Sequence, residues 1–442
     1  MRRIYDDYAY GAGPRSGCWW DETCETISRQ RISGAQKVDV AVVGAGFTGL
    51  SAALKLAESG ASVVVLEAES VGWGASGRNG GFCCLGGSKA GDAEMDRRFG
   101  KAARLEFRQA EKRAVSHVDG FVSKNAIEVD RHSDGETELA HRPKDMASMR
   151  DSVRSIEENY GVTPRVIEPQ ELESEGLGGG PFHGALTIPL GFGLNPRKYI
   201  DGLAQAAEQA GALIFDRSPV TGFTKQHGRW HLQCGDHSID AEQVVLATNG
   251  YSAEDVPPWL AGRYMPTQST VLVTRPMTPA ELDAQGWTSN QMAYDTRSLV
   301  HYFRLMPDRC FLFGTRGGLL TGAKAEARAR RRNRADFERM FLAWAGVDSQ
   351  YTWSGFVSLA MRKVPFIGPV PDQSGVWAAM CYHGNGVAMG SYSGHLLAQL
   401  MLSGENTDIP TIVRTPLQKF PFGRARRIVM PPLYAQLKLK DY

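Results

Sequence analysis

Three glycines within six residues, Gly44, Gly46 and Gly49, give this chain its most informative chemistry. In such a segment the first glycine permits a tight turn, the second lets the backbone approach a pyrophosphate, and the third lets a helix pack closely on the preceding strand. Phe47 and Thr48 begin a run with helical spacing, whose amino-terminal end would face the phosphates. The spacing therefore predicts a pyrophosphate-binding turn.

A βαβ unit surrounds this turn. The apolar run at residues 38–43 is typical of a strand buried on both faces, and residues 62–66 form the second predicted strand. Small and apolar residues at 48–59 predict the helix between them. Glu67 and then Ala68 follow the second strand, near the offset of roughly 20 residues at which a ribose-binding acid is expected. Such an acid suits NAD or FAD and disfavours NADP, so the unit predicts an adenine dinucleotide.

The next segment, residues 70–81, is rich in glycine and lacks apolar periodicity, which argues against a helix. Its composition fits a loop that lies against a flat or charged ligand, and it fits an ordinary surface loop equally well. The residues GWGASGRNGG at 72–81, taken with the glycine turn, resemble the D-amino-acid-oxidase-like family of FAD-dependent oxidoreductases, and within it the bacterial γ-glutamylputrescine oxidases. Further segments that resemble this family lie at 195–199, 244–250, 302–305, 312–314, 364–368 and 383–387.

The resemblance implies an α/β fold in which a Rossmann-like FAD-binding domain is interleaved with an α+β substrate domain built on a mostly antiparallel sheet. After an N-terminal arm at 1–36, the FAD-binding domain is expected at 37–82, 163–258 and 357–442. The substrate domain is expected at 83–162 and 259–356. The length of 442 residues agrees with two hydrophobic cores.

The resemblance also implies a set of FAD-binding residues, of which those at 74–81 cross the pyrophosphate and reach the isoalloxazine. The expected residues are Gly44, Gly46, Phe47, Thr48, Gly49, Glu67, Ala68, Gly74, Ala75, Ser76, Arg78, Asn79, Gly80, Gly81, Val220, Thr248, Asn249, Gly250, Gly384, Asn385, Gly386 and Val387. Relatives with covalent flavin carry a cysteine just before the segment at 364–368, where this chain has Met361-Arg362-Lys363. We therefore expect non-covalent FAD and no metal.

Four side chains are candidates for the reaction itself. Arg78 lies in the predicted flavin loop, and Tyr302 and Arg304 alternate along a predicted strand that faces either the substrate cavity or solvent. His383 opens a glycine-rich segment ahead of a predicted helix, whose amino-terminal end carries positive charge. The family commonly has Gly-His-Gly where this chain has Gly384-Asn385-Gly386, so either Asn385 or His383 takes the contact. A plain turn before a core helix is the alternative.

The implied activity is oxidation of the C–N bond of an amine or amino acid by hydride transfer to flavin N5. The resulting imine hydrolyses, dioxygen accepts the electrons and hydrogen peroxide forms. The alignment puts Leu312 and Ala388 where related oxidases have lysines, one for dioxygen and one for a substrate carboxylate. An extended amine is therefore favoured over a small amino acid. An FAD-dependent dehydrogenase that reduces a quinone or carrier, a flavin subunit of a larger complex and an NAD-dependent dehydrogenase are the alternatives.

Composition agrees with an ordinary enzyme. A net charge of +2 implies neither nucleic acid nor an anionic membrane as partner. Hydrophobic residues make up 42% of the chain and the mean hydropathy is −0.29, and no stretch approaches a membrane span. Residues 1–36 lack the apolar core of a signal peptide. Seven irregularly spaced cysteines argue for reduced thiols, so we expect a cytoplasmic protein.

Overall fold

The computed structural model describes residues 1–405 and 408–441. Residues 406, 407 and 442 of the expected FAD-binding domain lie outside the described residues. The strands are β1 (Ala35–Val43), β2 (Val63–Leu66), β3 (Phe82–Cys83), β4 (Glu136–Leu139), β5 (Arg165–Ile167), β6 (Ala185–Ile188), β7 (Phe192–Gly193), β8 (Leu213–Phe215), β9 (Gly222–Gln226), β10 (Arg229–Cys234), β11 (His237–Leu246), β12 (Met265–Val273), β13 (Met292–Asp295), β14 (His301–Leu305), β15 (Phe311–Gly318), β16 (Tyr351–Leu359), β17 (Phe366–Pro369) and β18 (Val376–Met380). The helices are α1 (Asp7–Tyr10), α2 (Ala12–Arg15), α3 (Phe47–Glu58), α4 (Asp92–Phe99), α5 (Lys101–Lys124), α6 (Pro143–Tyr160), α7 (Pro196–Gln209), α8 (Pro279–Gln285), α9 (Ala323–Met340), α10 (Ala388–Ser403) and α11 (Met430–Lys440).

The first sheet contains the predicted βαβ unit. Its strand order is β17-β18-β11-β1-β2-β8, and the hairpin β9–β10 extends it beside β11. Strands β1, β2, β8, β11 and β18 are parallel to their neighbours in this order, whereas β17 is antiparallel to β18. The short strand β8 ends the sheet beside β2.

The carboxyl ends of three central strands meet at one edge of this sheet. Val43 of β1 is in register with Leu66 of β2 on one side and with Leu246 of β11 on the other. The loops that follow these strands therefore lie side by side. In open α/β sheets this edge is where ligands bind.

Helices α3, α5, α7 and α10 cover one face of the first sheet and share a continuous apolar core with it. Helix α7 begins at Pro196, and the Asn195 side chain caps it by accepting hydrogen bonds from the backbone N–H groups of Arg197 and Lys198. A second apolar cluster, with Trp230 and Trp259, covers the opposite face. The parallel strands are thus buried on both sides, as their apolar runs predict.

The second sheet is mostly antiparallel, with strand order β16-β12-β15-β14-β13-β4-β6-β5. Its far face packs against α8 and α9 through an aromatic core that contains Phe303, Phe337 and Trp344. In the basic run 329–334, Arg330 pairs with Glu326 and Arg334 pairs with Glu338 on the same helix. Arg331 and Arg332 of this run are exposed, whereas Asn333 is fully buried.

Strand pairing corrects two of the expected domain boundaries. The segment 163–258 was expected in the FAD-binding domain, but β6 pairs with β4 in the second sheet, and β5 pairs with β6. The segment 83–162 was expected in the substrate domain, but α5 packs against α10 within the core of the first sheet. Both differences arise from contacts between distant segments, which local periodicity does not encode.

The seven cysteines are free thiols in the structure. None of the helices in residues 1–405 and 408–441 combines the length and the apolar character that a membrane crossing requires.

Candidate active site

The glycine turn folds so tightly that its glycines are required. Gly44 has φ +104°, and Gly46 lies so close to Ser76 that a Cβ atom on it would be 2.9 Å from the Ser76 Oγ. A Cβ atom on Gly49 would collide with the carbonyl oxygen of Gly44. Helix α3 begins immediately after the turn, at Phe47, with its amino-terminal end towards the loops at the sheet edge. This geometry fits the pyrophosphate of a dinucleotide.

Glu67 lies beside the turn, at the end of β2. Its carboxylate accepts hydrogen bonds from the backbone N–H groups of Ala45 (2.8 Å) and Glu69 (3.1 Å). Burial raises the pKa of Glu67 to about 7 despite these hydrogen bonds. A carboxylate fixed next to the turn fits the ribose hydroxyls of the dinucleotide.

A cavity of about 490 Å³ runs from the glycine turn to the near face of the second sheet. Most of the residues predicted from the sequence line it. They are Gly44, Gly46, Phe47, Thr48, Glu67, Ala68, Gly74, Ala75, Ser76, Arg78, Asn79, Gly80, Val220, Thr248, Asn249, Tyr302, His383, Gly384, Asn385, Gly386 and Val387.

Four predicted site residues do not line the cavity: Gly49, Gly81, Gly250 and Arg304. The three glycines instead allow close packing behind the lining. A Cβ atom on Gly250 would lie 3.2 Å from the Cβ of Phe356, and one on Gly81 would collide with the carbonyl oxygen of Leu194. Their place in the motif follows from packing and not from contact with a ligand.

Arg304, one of the candidates for the reaction, does not line the cavity. Its fully buried guanidinium donates to the carbonyl oxygen of Leu194 (2.8 Å) and lies 3.0 Å from the Nε2 of His132. Tyr302 shares a face of β14 with it and does line the cavity, where its hydroxyl lies 2.9 Å from the Oγ of Ser269. Alternation along β14 gives the two residues the same face, but only Tyr302 lies where that face is open.

Arg78 lines the cavity and also connects the loop to strand β16 through hydrogen bonds. Its Nε donates to the carbonyl oxygen of Trp73 (2.7 Å), its Nη1 donates to that of Ser354 (3.3 Å), and the guanidinium stacks over Trp73 and Tyr251. Trp353 donates to the carbonyl oxygen of Arg78 (2.8 Å) from below. The Nη2 of Arg78 is buried and has no partner among the described residues, so it is the one atom of this side chain left for a ligand.

His383 does not have a free ring nitrogen. The backbone N–H of Ala360 donates to Nε2 (3.1 Å), so Nδ1 carries the proton and donates to the carbonyl oxygen of Gly87 (3.0 Å). Burial, as the largest cause, lowers the pKa of His383 to about 4. The side chain is thus a neutral imidazole that links two backbone segments by hydrogen bonds, and it does not act as an acid or base. Asn385 donates to the carbonyl oxygen of Leu85 (2.6 Å), which leaves the following residues and the start of α10 to face the cavity.

Charged residues that the sequence analysis missed also line the cavity. Arg316 donates to the carbonyl oxygen of His383 (3.1 Å). The charge of Arg316, and secondly burial, lowers the pKa of Lys89 to about 7. Glu136 and Glu138 of β4 line the cavity too. Gly314 and Arg316 are two residues apart on β15, so alternation along the strand could have predicted that Arg316 lies on the same face as Gly314. No local sequence pattern predicts that Lys89, Glu136 or Glu138 lines the cavity.

The N-terminal arm also contributes to the site. Met1, Arg3 and Tyr10 line the cavity, although the arm was not expected to contact a ligand. Trp20 packs beneath the loop and donates to the carbonyl oxygen of Asn79 (2.8 Å). The arm therefore supports the loop at 70–81 from below.

Leu312 and Ala388 do not line the cavity. Leu312 is fully buried in a cluster with Cys18 and Trp353, and Ala388 is buried at the start of α10. The positive charge of the cavity therefore comes from other residues, Lys89 and Arg316 among them, and not from these two positions.

A glycine turn at the edge of a parallel sheet, opening into a cavity roofed by an antiparallel sheet, is the architecture of a two-domain dinucleotide-binding enzyme. Residues 39–400 match the family model described as DAO, FAD dependent oxidoreductase. The chain therefore belongs to this family of FAD-dependent oxidoreductases, and the expected family and fold class are confirmed.

Relatives support this assignment over most of the chain. The chain is 28% identical to a probable oxidoreductase OrdL of Haemophilus influenzae over 405 residues, which cover 90% of each chain. It is also 28% identical to the γ-glutamylputrescine oxidoreductase of Escherichia coli, over 88% of this chain and 89% of the relative. The crystal structure of a glycine oxidase from Geobacillus kaustophilus superposes with a TM-score of 0.69 at 18% identity and covers 86% of this chain and 99% of that one.

Replacing Gly49 by alanine tests the glycine turn. The new methyl group would displace α3 from the turn, so we expect Gly49→Ala to lose about 1–3 kcal/mol of stability and to retain less FAD per chain. Gly120→Ala is the matched control, because Gly120 lies in α5 with no atom within 4 Å of its virtual Cβ. The control should keep its FAD and gain up to about 1 kcal/mol. Thermal unfolding and the ratio of flavin to protein absorbance measure both effects, and equal FAD content in the two variants would contradict the assignment.

The pH dependence of unfolding tests the neutral state of His383. A folded-state pKa of about 4 lies below the ordinary value of about 6.5, so the unfolded chain binds the proton first. The resulting stability is present above pH 6.5 and falls towards pH 4, by up to about 1.4 kcal/mol per pH unit. We expect His383→Asn to be less stable at neutral pH but to lose less stability on acidification. His227→Asn, at an exposed residue that also has positive φ, should follow the wild-type curve in chemical denaturation. Parallel curves for His383→Asn and wild type would show that His383 is not held neutral.

Proposed function

We propose that this protein oxidises the C–N bond of an amine or amino acid, with FAD as cofactor, dioxygen as acceptor and hydrogen peroxide as product. One observation carries the proposal: a single cavity joins the pyrophosphate turn at Gly44 to the polar pocket beneath Tyr302. Family membership supports FAD as the cofactor. Similarity to a γ-glutamylputrescine oxidoreductase supports an amine as the substrate, and an extended amine in particular.

The residues around the cavity fit FAD in three sections. The turn at 44–48 and the amino-terminal end of α3 would hold the pyrophosphate, and Glu67 would hold the ribose. The loop at 74–80 and the segment at 384–387 would hold the ring system. Gly49, Gly81 and Gly250 would act indirectly, by allowing close packing behind these sections.

Binding is proposed to be non-covalent. Cys84 is the only cysteine that lines the cavity within the described residues, and burial raises its pKa well above the ordinary value. Such a thiol carries almost no thiolate and is a poor nucleophile towards the cofactor. Residues Met361-Arg362-Lys363 stand where relatives have their attachment cysteine, and none of the three lines the cavity.

The chain's residues prepare the cavity for amine oxidation. When bound, FAD accepts a hydride from the α-carbon of a neutral amine, and the imine left behind is hydrolysed by water. Arg316 and the amino-terminal end of α10 bring positive charge to this part of the cavity, which suits a cofactor that gains negative charge. No side-chain base is needed if the amine binds neutral, which agrees with the fully used ring of His383.

Lys89 supports dioxygen as the acceptor. Its ammonium group reaches the cavity without a hydrogen-bond or ion-pair partner among the described residues, and Arg316 lies within electrostatic range of it. Transfer of one electron to dioxygen gives superoxide, an anion that a nearby positive charge stabilises. Because the pKa of Lys89 is about 7, this side chain supplies that charge in its protonated form. A quinone or protein carrier as acceptor is the alternative.

Anaerobic titration of the yellow protein with a panel of amines and amino acids tests the activity. We expect an amine to bleach the flavin, and readmitted air to restore the colour with formation of one hydrogen peroxide per flavin. Lys89→Met should slow the reoxidation by air more than the reduction by amine, whereas Lys101→Met, at an exposed α5 residue, should change neither. Bleaching followed by slow recovery in air would identify a dehydrogenase. Failure of every amine to bleach a fully loaded protein would contradict the amine assignment and favour a flavin subunit of a larger complex.

Acid precipitation tests the mode of FAD binding. Because no reactive cysteine faces the cofactor, we expect all of the yellow colour to stay in the supernatant when the protein is precipitated with acid. A Cys84→Ser variant should behave identically. Colour that remains with the wild-type pellet and moves to the supernatant for Cys84→Ser would show a covalent bond at that thiol.

A further inference from the structure

Two acidic side chains of β4 face the cavity without a positive partner. Glu136 and Glu138 are two residues apart on this strand, so their side chains share a face, and both line the cavity. Glu136 is only 5% exposed, and neither carboxyl group forms an ion pair in the part of the chain that the structure describes. Tyr294 of the neighbouring strand β13 is in register with Glu138 and also lines the cavity.

The neighbouring acids show that this arrangement is unusual for the molecule. Asp295 pairs with Arg297 and His301, and Asp145 pairs with Arg142. Glu111, behind β4, pairs with Arg108. Each of these carboxylates has its own cation, whereas Glu136 and Glu138 do not.

The charges around Glu136 and Glu138 are negative. The charges that act on Glu136 are those of Glu138 and Glu111, and the charges that act on Glu138 are those of Asp145 and Asp295. The neutral Cys84 thiol donates a hydrogen bond to Glu136. Burial, as the largest cause, raises the pKa of Glu136 to about 8 and that of Glu138 to about 7. A buried carboxyl group without a counter-charge is costly to ionise. The described residues supply no counter-charge that pairs with Glu136 or Glu138.

Two cations of the cavity do not pair with these glutamates: Arg297 is paired with Asp295, and Arg316 lies on a distant strand of the sheet. Arg316 belongs to β15, which is separated from β4 by β14 and β13 in the sheet. Three strand spacings place the two backbones about 14 Å apart. The cavity therefore has an acidic region on β4 and a basic region around Arg316 and Lys89.

We propose that Glu136 and Glu138 form a subsite for a second positive charge on an extended amine substrate, such as the distal ammonium group of a diamine. This inference rests on the proposed amine oxidation. A metal ion is a poorer occupant, because no group of three or more His, Cys, Asp or Glu side chains suited to a metal occurs in residues 1–405 and 408–441. An ammonium group needs only the two carboxylates and the Tyr294 hydroxyl as acceptors.

Paired substrates test the subsite. Flavin reduction is measured anaerobically with α,ω-diamines from putrescine to octamethylenediamine, each beside the monoamine of the same length. For the wild type, we expect the best diamine to half-saturate reduction at a concentration at least about tenfold lower than its monoamine. Equal half-saturation for every pair would overturn the subsite.

Isosteric variants locate the effect. Glu136→Gln and Glu138→Gln remove one charge each without changing shape, and both should reduce the preference for the diamine to about threefold or less. Glu157→Gln, at an exposed residue of α6, is the matched control and should keep the wild-type preference. Thermal unfolding and FAD content confirm that each variant is folded. A diamine preference that survives in both β4 variants would place the cation elsewhere and overturn the assignment.

A binding assay separates this inference from the proposed function. Hexamethonium and hexyltrimethylammonium lack the nitrogen lone pair needed for oxidation, so their binding is followed as a perturbation of the oxidised flavin spectrum. The dication should bind at least about tenfold more tightly than the monocation, and the preference should fall in Glu138→Gln. If no amine reduces the flavin but this preference is present, amine oxidation fails and the cation subsite stands. If amines reduce the flavin but no preference exists in either assay, the subsite fails and the proposed function stands.

Discussion

Helix α3 is held between the first sheet and α10 by contacts that leave no room for side chains. On one side Gly49 packs on the carbonyl oxygen of Gly44, and on the other Gly394 of α10 packs on the backbone of Thr48. The hydroxyl of Thr48 also lies 2.9 Å from both the Tyr382 hydroxyl and the carbonyl oxygen of Gly390. Helix α3 thus fixes the pyrophosphate turn and the start of α10 relative to each other, although Thr48 and Gly390 are 342 residues apart in the chain. The site depends on this spacing because the two sections must hold one ligand.

The loop at 70–81 has little structure of its own and is fixed by donors from other parts of the chain. Trp20 of the N-terminal arm and Trp353 of β16 each donate an indole N–H to a backbone carbonyl oxygen of the loop. Arg304 lies beneath the end of the loop, where its guanidinium donates to the Leu194 carbonyl oxygen. Large buried side chains from three segments therefore fix the conformation of the loop. Trp20, Trp353 and Arg304 are buried for this reason, and none of them lines the cavity.

These contacts also explain which parts of the site could be predicted from the sequence. Gly44, Gly46 and Glu67 were identifiable because a βαβ unit encodes its turn, helix and acid within about thirty residues. The second sheet is assembled from distant strands, and its register depends on pairing that local sequence does not reveal. Arg304 was therefore taken for a cavity residue, and Arg316, two strand positions beyond Gly314, was missed. Glu136 and Glu138 lie in a four-residue strand with no signal beyond alternation.

The order of strands in the second sheet gives the cavity its polarity. If β4 were next to β15, Arg316 would neutralise the glutamates and the roof of the cavity would be a closed ion-pair network. Because β13 and β14 lie between them, acid and base remain apart under one roof. Strand β13 contributes Tyr294 and strand β14 contributes Tyr302 to the gap between acid and base. Both side chains are uncharged, and both residues line the cavity. A ligand that spans this gap meets negative charge at β4 and positive charge near Arg316, so topology, and not any single residue, determines the direction in which an extended molecule can bind.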